Sequence, residues 1–165
     1  MKYLAHYPEH VQAQAQALLD QDRMRPYLEA RYGDLDARHD IQSSASLYQM
    51  ATALKRKHMS SAPNLSKVRY CEKISTLNQA LGLHTYATRV QGSKLKTKHE
   101  LRVATVYKDG PREFLEAVVI HELAHLREKD HNKAFWRLCQ HILPDYGQRE
   151  LDMRLWLTWR EASDT

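Results

Sequence analysis

The sequence of 165 residues predicts an α+β fold on three observations. Helical periodicity dominates residues 11–59, strand-like alternation replaces it between Lys67 and Tyr107, and helical periodicity returns from Arg112 to Trp159. A chain of this length carries one ordinary core, so a single domain over 1–165 is expected, with a helical N-terminal part at 1–62 and a second part at 63–160.

In the first part, Val11, Ala15, Leu18 and Leu19 recur at helical spacing, and a second helical stretch from Tyr27 to Tyr32 ends at Gly33. Ser43 to Met59 is amphipathic, with Leu47, Tyr48, Met50, Ala51 and Leu54 on one side. Lys55, Arg56 and Lys57 stand at its end, where cations complement the helix dipole. Ser60-Ser61-Ala62-Pro63-Asn64 breaks it. From Lys67 to Ile74 apolar and polar residues alternate as in a half-exposed strand, and Thr85 to Val90 is a weaker strand followed by a turn at Gly92-Ser93. Leu101 to Tyr107 is the strongest strand, rich in β-branched residues and stopped by Asp109-Gly110-Pro111. Pro111 suits the first turn of the next helix, and Glu113 and Glu116 sit near its positive end. That helix, Arg112 to about Arg127, is apolar around most of its circumference and is expected to be central and buried. A further helix from about His131 to Ile142 turns Ala134, Phe135, Leu138 and Ile142 inward before Pro144 ends it. In the last one, Gln148 to Trp159, the stripe of Leu151, Leu155, Trp156 and Trp159 is expected to pack into the core.

Composition excludes several classes. At 42% hydrophobic and 27% charged residues the chain reads as a soluble globular protein, and five Gly and five Pro leave no room for a long low-complexity linker. No run approaches the ~18 apolar residues of a membrane span. The first ten residues lack the apolar stretch of a signal peptide, so the cytoplasm is the expected location. Cys71 and Cys139 lie far apart and outside any Cys-x-x-Cys pair, which argues against a disulfide framework or a thiolate metal site and for buried packing. The positive charge is concentrated in the middle. Residues 51–108 hold twelve Lys/Arg against two Asp/Glu, a block that is either a solvated face or an attractor of anionic partners.

His121-Glu122-Leu123-Ala124-His125 carries the chemistry. Four residues bring the two imidazoles to one face of the buried helix about one turn apart, the separation that two ligands of a tetrahedral zinc require. Glu122, rotated by ~100°, flanks that face as a base for a metal-activated water. Burying two histidines and a glutamate among Val, Ile and Leu is costly without a partner, and a divalent cation is such a partner. A third histidine, His131, follows His125 at six residues, too many to continue the same face. The chain must therefore leave the helix after about Glu128 and swing back, with Asp130 as the expected pivot and cap. Three protein nitrogens leave the fourth zinc position open, the mark of a catalytic site. His6 and His10 share the four-residue spacing, but Pro8 lies between them, and a surface location is expected. His39, His58, His84 and His99 stand alone, and His141 and Tyr146 are weaker candidates for hydrogen bonding to the transition state.

The run from His121 to Trp136, His-Glu-Leu-Ala-His-Leu-Arg-Glu-Lys-Asp-His-Asn-Lys-Ala-Phe-Trp, followed by Pro144-Asp145-Tyr146, resembles the YgjP-like metallopeptidase family. The resemblance continues through Arg89-Val90-Gln91-Gly92-Ser93, Leu101 to Tyr107 and Leu155-Trp156-Leu157, and the N-terminal helices are its least diagnostic part. It implies a zincin-like fold, a small sheet packed on helices with the motif helix at the bottom of a cleft and the last strand running along that cleft. It also implies His121, His125 and His131 as zinc ligands and Glu122 as catalytic base. SprT-like and Wss-type proteases, some acting near DNA, are related. Where many family members have an aromatic before the Gly-Ser turn, this chain has Gln91.

The first functional expectation is a zinc-dependent metallopeptidase that binds an extended peptide beside Leu101 to Tyr107. An alternative keeps the metal and takes a nucleotide substrate. Lys94, Lys96, Lys98 and Arg102, together with Tyr146, would then receive a phosphate chain as a nucleoside triphosphate pyrophosphatase requires. A further alternative is a basic nucleic-acid-binding adaptor.

Overall fold

Local chemistry sets most element boundaries. The computed structural model describes residues 1–74, 86–91 and 94–164, with the backbone alone for 86–91 and 94–98. A short 3-10 turn at Lys2–Leu4 precedes α1 (Glu9–Asp20), α2 (Met24–Tyr32) and α3 (Ser44–His58). Ser43 starts α3 with a reciprocal cap: its Oγ accepts from the Ser46 amide and the Ser46 Oγ accepts from the Ser43 amide, both at 3.1 Å. Then come β1 (Leu65–Cys71), β2 (Tyr86–Gln91) and β3 (Lys94–Ala104), a second 3-10 turn at Thr105–Lys108, α4 (Arg112–Ala124), α5 (Lys133–Ile142) and α6 (Tyr146–Ser163). The α+β expectation holds. The expected turn at Gly92-Ser93 and the lone His84 lie outside the described residues.

The sheet has the order β1-β3-β2, with β1 parallel and β2 antiparallel to β3. Leu65 to Cys71 register against His99 to Ala104, and Tyr86 to Gln91 against His99 back to Lys94. β3, the last strand in the sequence, is the middle strand of the described sheet. It also ends sooner than expected, because Thr105 to Tyr107 are coiled into the 3-10 turn. Side chains from the loop before α3 account for this: His39 Nε2 lies 2.8 Å from the Tyr107 carbonyl, and Gln42 Nε2 donates to the Lys108 carbonyl at 2.9 Å. Carbonyls held this way leave the ladder without loss.

Two further boundaries differ from expectation. α4 ends at Ala124 rather than near Arg127, tightening into bonds from Leu126 to Leu123 and from Arg127 to Ala124. α5 is capped by Asn132, whose side chain accepts from the Phe135 amide at 2.9 Å. Asp130 neither caps nor adopts the left-handed conformation, which among the described non-glycine residues occurs at Asp22.

One apolar cluster joins the helices to β1 and β3, with Tyr107, Phe114, Phe135 and Trp156 fully buried in it. α4 supplies most of its middle, from Phe114 to Ala124. Gly110 is required by this packing, since a β-carbon there would stand 2.9 Å from the Trp156 ring. Cys71 and Cys139 are free and buried, as expected. Among the described residues no helix is long and apolar enough to cross a membrane.

A polar knot joins α2 to α6 inside this cluster. The fully buried Asp152 carboxylate accepts from the Tyr32 hydroxyl at 2.6 Å, the Tyr27 hydroxyl at 3.2 Å and Gln148 Nε2 at 3.1 Å. Burial and then the bond to Asp152 push the Tyr32 phenol well above its usual range. Asp152→Ala strands those donors and should lower stability by about 3 kcal/mol, read as a reduced denaturant midpoint at unchanged slope, whereas Tyr32→Phe should cost only about 1 kcal/mol.

Candidate metal centre

The first two histidines owe their position to helix geometry. His121 lies in the last turn of α4, and His125 is the residue that ends it, still with helical dihedrals, so the four-residue spacing keeps both rings on one side. The chain then turns through Glu128 and Asp130, and the Asn132 cap launches α5 with His131 just before it. The result is convergence. His125 Nε2 and His131 Nε2 are 3.0 Å apart, and His131 Nε2 and His121 Nε2 are 3.2 Å apart. His121 and His125 are buried and His131 is exposed.

The opposite ring nitrogens face the protein. His125 Nδ1 lies 3.0 Å from the Glu128 carbonyl, which can only accept, so the proton sits on Nδ1 and the Nε2 lone pair points inward. His121 Nδ1 meets the Tyr146 hydroxyl at 2.6 Å. A metal on His121 Nε2 requires the proton on Nδ1, and the Tyr146 oxygen is placed to accept it. Burial pushes the Tyr146 phenol well above its usual range and the Cys139 thiol up to about 12, so both stay protonated at neutral pH.

Three imidazole nitrogens at these separations fit a divalent metal. Tetrahedral zinc with Zn–N near 2.0 Å sets its ligand nitrogens about 3.3 Å apart, and a neutral tris-imidazole set suits zinc. Phe135 braces the rings from the core side, its centroid 4.5 Å from His125, 4.8 Å from His121 and 4.9 Å from His131. Trp136 packs on His131 at 5.6 Å. Glu122 is buried at 1% exposure, near enough for its charge to raise the Tyr107 and Tyr146 phenols.

A cavity of about 560 Å³ adjoins the imidazoles, lined by His121, His131 and Trp136 and, from the far ends of the chain, by His6, Tyr7, Glu150 and Arg154. Arg154 is only 6% exposed. Its guanidinium donates to the Tyr3 carbonyl at 2.8 Å and to Glu150 Oε1 at 3.0 Å, and lies 5.7 Å from the centre of the Tyr7 ring. Burial holds the Glu150 carboxyl above its ordinary value against the lowering effect of Arg154.

Sequence reasoning missed the far wall. His6 is exposed, as expected, yet faces this cavity, and Tyr7, Glu150 and Arg154 belong to no local motif. Other candidates sit elsewhere. Arg102 is 3.4 Å from Glu100, which Arg69 of β1 also binds at 2.7 Å, a charge cluster on the sheet. Lys94, Lys96 and Lys98 register opposite Gln91, Arg89 and Ala87, and their side chains lie outside the described residues. Tyr146 stands behind His121 on its Nδ1 side. His141 is exposed on α5.

If the Tyr146 hydroxyl sets the tautomer of His121, Tyr146→Phe should weaken zinc binding about tenfold or more in competition with a chromophoric chelator, with the far-UV spectrum unchanged.

Among known proteins, residues 29–155 match the YgjP-like family, described as a metallopeptidase domain. The chain is 48% identical to a UTP pyrophosphatase of Escherichia coli strain K12 over 158 residues, which covers 96% of this chain and 93% of that protein. No solved structure matches.

Proposed function

The chain belongs to the YgjP-like metallopeptidase-domain family, and from that premise we propose that it is a zinc-dependent hydrolase of nucleoside triphosphates, built on a zincin-like arrangement of α4 against the small sheet. His121, His125 and His131 hold the metal in this reading, and Glu122 is the base. The observation that carries the substrate class is the buried Arg154 guanidinium in the same cavity as His121 and His131. Such a cation, anchored by Tyr3 and Glu150, suits a phosphate chain better than a neutral peptide. Two findings support it: the name of the relative that is 48% identical, and the excess of Lys and Arg in residues 51–108.

Zinc, when bound, supplies a Lewis acid and makes water a better nucleophile near neutral pH. The protein's own groups do the rest. Glu122 accepts a proton from the attacking water and returns it to the leaving oxygen. Arg154 binds the charge that develops on the phosphoryl oxygens. Tyr7 and Trp136 form apolar walls that confine the substrate. Tyr146 orients His121 rather than touching substrate, and Lys94, Lys96 and Lys98 of β3 add to the attraction of anions.

Peptide hydrolysis at the same centre is the second reading, favoured by the family's description as a metallopeptidase domain. One assay separates the two. Zinc-loaded protein is offered UTP and, separately, an unfolded protein, with and without chelator. UTP should be hydrolysed and chelator should stop it. Glu122→Gln should lower kcat at least ~100-fold at unchanged zinc content. Cleavage of the unfolded protein with UTP left intact would sink the nucleotide reading and leave the peptidase one standing.

A further inference from the structure

Glu150 is a negative charge in a cavity proposed to receive phosphates. It is the one carboxylate among the described residues that line the space beside His121 and His131. As the counter-charge of Arg154 it uses a single oxygen, Oε1, which accepts from the guanidinium at 3.0 Å. Arginine and carboxylate often pair through two parallel bonds, and here the second oxygen is left out of the pair. No described protein donor reaches Oε2, and it is not among the buried oxygens that lack a partner, so it opens on the cavity. The side chain is otherwise enclosed, at 12% exposure.

An anionic acceptor fixed in this way repels a phosphate and attracts an N–H or O–H group. Glu150 and Arg154 stand one turn apart on α6, an offset of about 6 Å along the helix. One nucleotide can therefore present its phosphates to Arg154 and a donor from its sugar or base to Glu150. Trp136, half-buried in the same lining, offers a flat apolar surface, which a planar ring covers better than a sugar does.

We propose that Glu150 reads the base of the substrate, its Oε2 accepting the ring N–H of uracil while the ring lies against Trp136. This rests on the nucleotide hydrolysis proposed above and adds to it a reason for choosing among nucleotides. Cytosine in the same position turns a bare ring nitrogen, an acceptor, toward the carboxylate. A polar site left unpaired by the wrong ligand rejects it strongly.

The test compares kcat/KM of the zinc-loaded protein for UTP, CTP, dUTP and 3-methyl-UTP, and repeats the comparison with Glu150→Gln. The parent should prefer UTP over CTP and over 3-methyl-UTP by at least ~tenfold and should accept dUTP as readily as UTP. Glu150→Gln should cut the UTP-to-CTP ratio about tenfold or more, since an amide can turn either its C=O or its N–H to the ring. Weaker anchorage of Arg154 alone would lower both substrates alike and leave the ratio unmoved. The 3-methyl substrate removes the donor without altering the protein, so the proposal stays testable if Glu150→Gln folds poorly. Equal hydrolysis of UTP, CTP and 3-methyl-UTP, or an unchanged ratio in Glu150→Gln, overturns the base assignment and leaves nucleotide hydrolysis standing. A parent preference for UTP over dUTP that disappears in Glu150→Gln overturns it too, by giving the oxygen to the ribose. If the parent hydrolyses no triphosphate at all, the function proposed above fails first and the base assignment falls with it.

Discussion

The Nε2 atoms of His121, His125 and His131 crowd together, at 3.0 Å between His125 and His131 and 3.2 Å between His131 and His121, so close that their lone pairs repel wherever no proton or metal ion lies between them. Such an arrangement is repulsive unless a positive charge lies between them, and the surrounding structure is organised to hold it. The apolar surface of α4 fixes two rings in the core, the Glu128 carbonyl and the Tyr146 hydroxyl hold the Nδ1 atoms of His125 and His121, and Phe135 blocks the rings from turning away. Freedom to relax is what these contacts remove. A flexible pair of histidines would part or share a proton, whereas a braced triad waits for a metal ion.

How much of this was legible depends on how local its cause is. The shared face of His121 and His125 could be read because helix pitch converts sequence spacing into direction, and the buried helix around them could be read from its apolar composition. The end of α4 and the cap of α5 were displaced by a few residues, since Asp130 and Asn132 are both competent caps and only the geometry of the return to His131 chooses Asn132. β3 was misjudged at its end because His39 and Gln42, more than sixty residues away, take the carbonyls of Tyr107 and Lys108. The cavity wall could not be read at all. Its members come from residues 6–7 and 150–154, and nothing in either stretch announces the other.

Beside the imidazoles the Arg154 guanidinium is compensated in place by Glu150 and the Tyr3 carbonyl, so it can stay buried without a ligand. This arrangement keeps a cation oriented at little cost.

The contact between Arg154 and the Tyr3 carbonyl spans 151 residues, and Lys2 and Tyr3 also reach Glu161 at 2.8 and 2.9 Å. This clasp gives the cavity a place in time as well as in space. Helix α4 and its histidines emerge from the ribosome before α6 does, so a nascent chain can present the triad before the far wall of the cavity is in place. Contacts of such long sequence separation form late. A metal taken up early would therefore sit in an open site, and confinement would follow only when the last helix folds back onto the first residues.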